Sequence, residues 1–146
     1  MTFASSQYIN WEREPNEAFT SDNYLVSYSF DSALNKGYLP RSDQDIWYFI
    51  AREENPYKTS MKTPENFFYD FVAYEILPGE TLVKVAEAIG TDTLKEVTVP
   101  GGDNSWHGLR SYYVKVYSNW VTYSQYSTEI DSDEPYTIVC DDRKNN

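Results

Sequence analysis

In LRSYYVKVYSNWVTYSQY, residues 109 to 126, ring and β-branched side chains recur with a period of two that a helix cannot place on one face. A two-residue turn at Ser118-Asn119 would pair Tyr117 with Trp120. It would bring Val114, Val116, Val121 and Tyr123 to one face, and Tyr113, Lys115, Tyr117, Trp120 and Thr122 to the other. Ser-Asn is a weaker turn signal than Asn-Gly, so one long bent strand is the alternative. Either way the chain is committed to a sheet, and 17% aromatic content with 14 Tyr supplies more segments of the same kind.

NYLVSYSF alternates Tyr24, Val26, Tyr28 and Phe30 against Leu25, Ser27 and Ser29, as a half-buried strand does. DIWYFIARE is apolar on both faces and reads as a central strand. NFFYDFVAYEIL also reads as strand from its rings and β-branched residues, although Thr63 and Pro64 could cap a helix there. YTIVC makes a last short strand. DSALNKGYLPRSD, punctuated by Gly37, Pro40 and Asp43, reads as a long loop with one helical turn, and ENPYKTSMKTPEN as another loop.

Residues 80–90 carry the clearest helical period: Leu82, Val85, Ala86 and Ile89 fall at i, i+3, i+4 and i+7, and Gly90 is placed to end the helix. A charge at Val85 is therefore expected to unfold the domain. The expected fold is α+β: a mostly antiparallel twisted sheet of about 5–6 strands with one amphipathic helix. A chain of 146 residues suits one domain, here 23–140, preceded by a polar arm over 1–22 that Trp11 and Phe19 would anchor and followed by a polar tail over 141–146.

YEILPGETLVKVAEAIG resembles the first half of a LysM domain at Tyr74, Ile76, Gly79, Glu80, Thr81, Leu82, Val85, Ala86 and Gly90. The resemblance implies a first helix after the turn and a glycan groove at Pro78, Gly79, Glu80 and Thr81. The second half departs from that pattern: TDTLKEVTVPGGDNSWHGL offers a β-like VTV and a Gly-rich loop where a second helix would stand.

Charge and side-chain chemistry narrow the function. Twenty-three carboxylates against twelve Lys and Arg leave a net charge of −11, which works against nucleic acid or an anionic membrane and favours a basic protein partner. No apolar run approaches the 18 residues of a membrane span, and the N-terminus has no basic start with an apolar core, so no Sec-type signal is expected. One His and one Cys give no metal-ligand set, and Cys140 beside Asp141 and Asp142 is a poor nucleophile. DSDE at 131–134 lacks the Gly and the closing Glu of an EF-hand loop. PGGDNSWHG lacks the Lys-Ser/Thr of a phosphate cradle. No cofactor, metal or catalytic set is expected.

The sequence therefore predicts a non-catalytic, acidic protein-binding module of the inhibitor, immunity or anti-defence kind that mobile elements often encode. It would engage a basic, nucleic-acid-binding surface through Trp106, His107, Asp131, Asp133 and Glu134. A structural component of a phage particle is one alternative. A glycan-binding module with Trp106, Tyr112 and Tyr113 as stacking platforms is another. Free of disulfides, the chain is expected in the cytoplasm, of a host cell if phage-encoded, or in the virion if structural.

Overall fold

Residues 9–14, 19, 23–26, 34–39, 44–52, 54–64, 67–90, 92–102, 109–118 and 134–141 are described by the structure, a computed structural model. They form nine strands: β1 (Ile9–Trp11), β2 (Leu34–Gly37), β3 (Gln44–Ala51), β4 (Tyr57–Lys62), β5 (Tyr69–Leu77), β6 (Thr81–Ala88), β7 (Leu94–Val99), β8 (Arg110–Ser118) and β9 (Tyr136–Asp141). There is no helix among the described residues, so the molecule is all-β rather than α+β. The strands build two sheets, in spatial order β1-β2-β9-β4-β7 and β3-β8-β5-β6. Pairing is antiparallel except between β1 and β2.

Period-two alternation explains why the sheets stack. Tyr57, Met61, Val97, Val99, Ile138 and Cys140 are buried on the inner face of the first sheet; Trp47, Phe49, Phe71, Ala73, Val114 and Val116 are buried on the inner face of the second. The two sets form one core, which neither sheet could bury alone. Burial of the Cys140 thiol removes it from solvent altogether.

Ring packing and one polar knot join the layers. The Trp47 indole N–H donates to the Tyr136 hydroxyl (2.9 Å), which donates to the Asp45 carboxylate (2.5 Å). Burial, then the Asp45 and Glu12 charges, push the Tyr136 phenol well above its ordinary pKa, so it stays a neutral donor.

A second polar set fastens the N-terminal strand. Asn10 Nδ2 donates to the Tyr24 carbonyl (2.6 Å) and to Asn35 Oδ1 (2.8 Å), while Asn35 exchanges hydrogen bonds with the backbone of Val26 and donates to the Ile138 carbonyl. Asn23 accepts from the Arg13 amide and donates to the Ile46 carbonyl. All three asparagines are buried, and these hydrogen bonds satisfy their side-chain amides.

The expected helix over 80–90 is instead β6, which hairpins onto β5. Leu77 pairs with Thr81 across Pro78, Gly79 and Glu80, with positive φ at Gly79 (83°) and Glu80 (62°), so Pro-Gly occupies the positions that a tight turn requires. The register then slips: Ala73 pairs with Ala86 but Tyr74 pairs with Lys84, leaving Val85 as the extra residue of a β-bulge. Before the slip Ala86 and Ala88 pack on the core; beyond it Leu82 pairs with Ile76 on the other face. One inserted residue thus turns a period of two into a spacing that imitates i, i+3, i+4. Val85 is 37% exposed and belongs to no buried stripe. Gly90 caps no helix; its amide donates to Asp70 Oδ1 (3.2 Å).

Three more expectations are corrected, those of two loops and of one central strand. ENPYKTSMKTPEN contains β4, an interior strand paired to both β9 and β7, and DSALNKGYLPRSD contains β2. DIWYFIARE is a strand, β3, but it ends the order of the second sheet. Its free edge is not bare, because residues 23–25 run beside it: the Leu25 amide donates to the Tyr48 carbonyl (2.9 Å) and the Tyr48 amide to the Asn23 carbonyl (2.8 Å). Ile9–Trp11, inside the stretch expected as an arm, forms β1 against β2.

Candidate functional site: an aromatic face on the second sheet

Strand register places side chains in rows, and the outer face of the second sheet carries a row made almost wholly of tyrosine. Tyr24 bridges to Tyr48, Tyr48 pairs with Tyr113, Tyr113 with Tyr74, and Tyr74 with Lys84. The next row runs Ile50, Ser111, Ile76 and Leu82; on the other side lie Ile46, Lys115, Val72 and Glu87. Cross-strand rings contact one another: Tyr24 meets Tyr48 at 6.0 Å between centroids and Tyr48 meets Tyr113 at 5.7 Å. Phe19 reaches back over the sheet, its ring 5.2 Å from that of Tyr113 and 5.7 Å from that of Tyr74. Such inclined ring pairs are favourable by about 0.5–1.5 kcal/mol each beyond area burial.

Between the tyrosine row and the Ser111 row lies a hollow of about 430 Å³, walled by Phe19, Tyr48 and Tyr113, floored by Ile76 and Leu82, with Ser111 and Glu80 at its polar side. Glu80 is delivered by the Pro78-Gly79-Glu80 turn and is the single formal charge in the lining. Burial, then Tyr48, then the Glu80 charge raise the Tyr113 phenol above its ordinary pKa, so its hydroxyl remains a neutral donor. The cations of this sheet are engaged: Lys84 pairs with Glu87 (3.3 Å), Arg110 with Glu75 (3.6 Å), and the Lys115 ammonium stands 5.1 Å from the Tyr117 ring centre.

Of the residues expected to meet a partner, Trp106, His107, Asp131 and Asp133 lie outside the described residues, and Glu134 is exposed just before β9. Of the residues that the LysM resemblance implies, Pro78, Gly79, Glu80 and Thr81 are all exposed at the β5–β6 turn, and Glu80 alone lines the hollow; the implied helix is the strand β6. Tyr113 stands on the outer face, whereas Tyr112 is fully buried inward, its hydroxyl donating to the Pro100 carbonyl (2.6 Å). Sequence reasoning missed Phe19, Tyr48, Ile76 and Leu82 as one surface. The alternation of Tyr113 with Tyr112 was a signal for it, but the register that aligns Tyr48 with Tyr113 is a long-range property.

At the opposite end of the core knot, Glu12, Glu14 and Asp45 bring carboxylate oxygens within 4.8 Å of one another. That is a donor set of the kind hard cations accept. Protein donors already address it, since Asp45 accepts from Tyr136 and Glu12 accepts from the Tyr38 amide (2.9 Å).

No protein-family model and no curated relative matches the sequence. Among solved structures the chain is similar to the pre-peptidase C-terminal domain of a collagenase from Bacillus anthracis. The TM-score is 0.50 at 15% identity, covering 93% of this chain and 97% of that one. It is also similar to PliG, a periplasmic inhibitor of g-type lysozyme from Aeromonas hydrophila, with a TM-score of 0.48 at 12% identity over 91% of this chain and 96% of that one. The likeness to the collagenase domain is one of fold.

Proposed function

We propose that the protein is a non-catalytic binding module that engages another protein through the outer face of its second sheet. The observation that carries this reading is the continuous row of Tyr24, Tyr48, Tyr113 and Tyr74 with Phe19 lying across it. Tyrosine supplies broad contact area at small entropic cost and a hydroxyl for the wet rim, which is why such rings concentrate at interface centres. The chain's net charge of −11 selects a partner with a basic surface by steering it and by repelling acidic competitors. An inhibitor or immunity-type protein that covers a cationic groove of its target fits this combination.

Capture on the immobilised protein tests the reading, with bound proteins identified by mass spectrometry. The expected result is a basic protein retained at low salt, released at high salt, and lost from a Tyr74→Ser/Tyr113→Ser variant that keeps its fold by circular dichroism. Retention of the same protein by that variant would place the contact elsewhere, and retention insensitive to salt would remove the electrostatic half of the reading.

A further inference from the structure

We propose that the hollow beside Tyr113 is an aromatic cage that receives one basic side chain, Lys or Arg, of the protein partner. The inference rests on the binding reading above and names what the face recognises.

Ring geometry is the first argument. Tyr48 and Tyr113 are inclined by 51° at 5.7 Å, and Phe19 and Tyr113 by 63° at 5.2 Å, so the three rings form walls around a volume rather than one flat shelf. Walls of this kind present ring faces to a cation from several sides, whereas a sugar ring stacks on a single plane. Charge is the second argument. Among the lining residues Glu80 is the one ionised side chain, and the turn that carries it holds it at the rim with a positive φ of 62°. A cation in the hollow would meet three rings and a carboxylate, while an anion would meet that carboxylate unscreened.

Size and wetting agree with this occupant. A hollow of about 430 Å³ takes the aliphatic stem of Lys or Arg against Ile76 and Leu82 and leaves the charged head among the rings. Burial and the Tyr48 and Glu80 neighbours push the Tyr113 phenol up from an ordinary value already well above physiological pH, so it adds no second negative charge there.

The test uses the whole protein and a set of blocked pentapeptides identical except at the central residue, which is Lys, Arg or the neutral isostere norleucine, alongside chitotetraose. Binding is followed by NMR shifts of the tyrosine ring protons. Saturable binding of the Lys and Arg peptides is expected, with the norleucine peptide weaker by about fivefold to thirtyfold, the span a cation–π contact of 1–2 kcal/mol gives. Glu80→Gln and Phe19→Leu should each weaken the cationic peptides severalfold. Both positions are exposed, so folding is retained and a thermal scan verifies it.

Equal affinity for the norleucine peptide, preference for chitotetraose, or cationic binding unchanged in Glu80→Gln and Phe19→Leu would each overturn the cage. If the cage fails while salt-sensitive capture by the tyrosine face persists, the binding reading stands without it. If neither capture nor peptide binding occurs, both fall.

Discussion

At Gly37 the tolerance for a single methyl group is set by the polar knot behind it. A Cβ built there would stand 2.6 Å from the Tyr136 hydroxyl and 2.8 Å from Glu12 Oε2, and Tyr136 is fully buried against Trp47 and Tyr69, so it has no room to retreat. The glycine is required for close approach, not for a left-handed backbone. Gly37→Ala should therefore destabilise by about 1–3 kcal/mol, the usual cost of overpacking a closed site. Urea unfolding checks it; a midpoint equal to wild type would mean that the Trp47–Tyr136–Asp45 chain of hydrogen bonds is looser than the distances show. The same knot explains how a buried carboxylate is tolerated, because Asp45 receives a charge-assisted hydrogen bond from a phenol that cannot ionise nearby.

Among the elements, β6 separates the strand account from a helical one. Val85 is the extra residue of the bulge and is exposed, so Val85→Asp should cost about 1 kcal/mol or less. Ala86 packs on the core, and Ala86→Asp, which buries an unpaired charge, should cost several kcal/mol. A helical stripe would make both substitutions severe, so thermal midpoints of the pair decide between the two. Gly90→Ala should cost more than about 1 kcal/mol, since φ of 119° lies where side chains are strained.

The strands that could be read from sequence are those dense in rings and β-branched residues: Tyr112 to Tyr117, the run from Asp45 to Ala51, Tyr69 to Leu77, and Tyr136 to Cys140. β4 was hidden because its inner face is Tyr57, Thr59 and Met61, only two of them apolar, between Asn55-Pro56, which reads as loop, and Thr63-Pro64, which reads as a helix cap. β2 was hidden because its inner residues are Asn35 and Gly37. In both, tertiary pairing supplies what local preference does not. The aromatic face was half legible: Tyr113 was named as a stacking ring, though together with the inward Tyr112, and its alignment with Tyr48 and Tyr74 depends on pairing between strands about 65 and 40 residues away.

Taken as a whole, the molecule closes its sheets with phenols, and this makes it sensitive to alkali. Burial and the Glu75 charge push Tyr112 up to about 12, and burial and the Asp45 charge raise Tyr136 well above its ordinary value of 10.0. A group whose folded pKa is raised contributes stability in full below pH 10, and that contribution falls away as pH rises through the folded value. Tyrosinate absorbance should therefore keep rising beyond the ordinary phenol range, with the Tyr112 contribution near pH 12 and accompanied by loss of the far-ultraviolet sheet signal. A single stage with the sheet signal intact would show that these phenols are accessible.

The central claim is that the partner covers the outer face of the second sheet, and hydroxyl-radical footprinting of the complex measures it most directly. Phe19, Tyr24, Tyr74 and Tyr113 report on that face, while Trp11 and Tyr38, stacked at 5.8 Å and both exposed, report on the β1–β2 side of the molecule. The account predicts that the first four lose labelling when the captured partner is bound and that Trp11 and Tyr38 keep theirs. Unchanged labelling of Tyr74 and Tyr113 with protection of Trp11 and Tyr38 would contradict it.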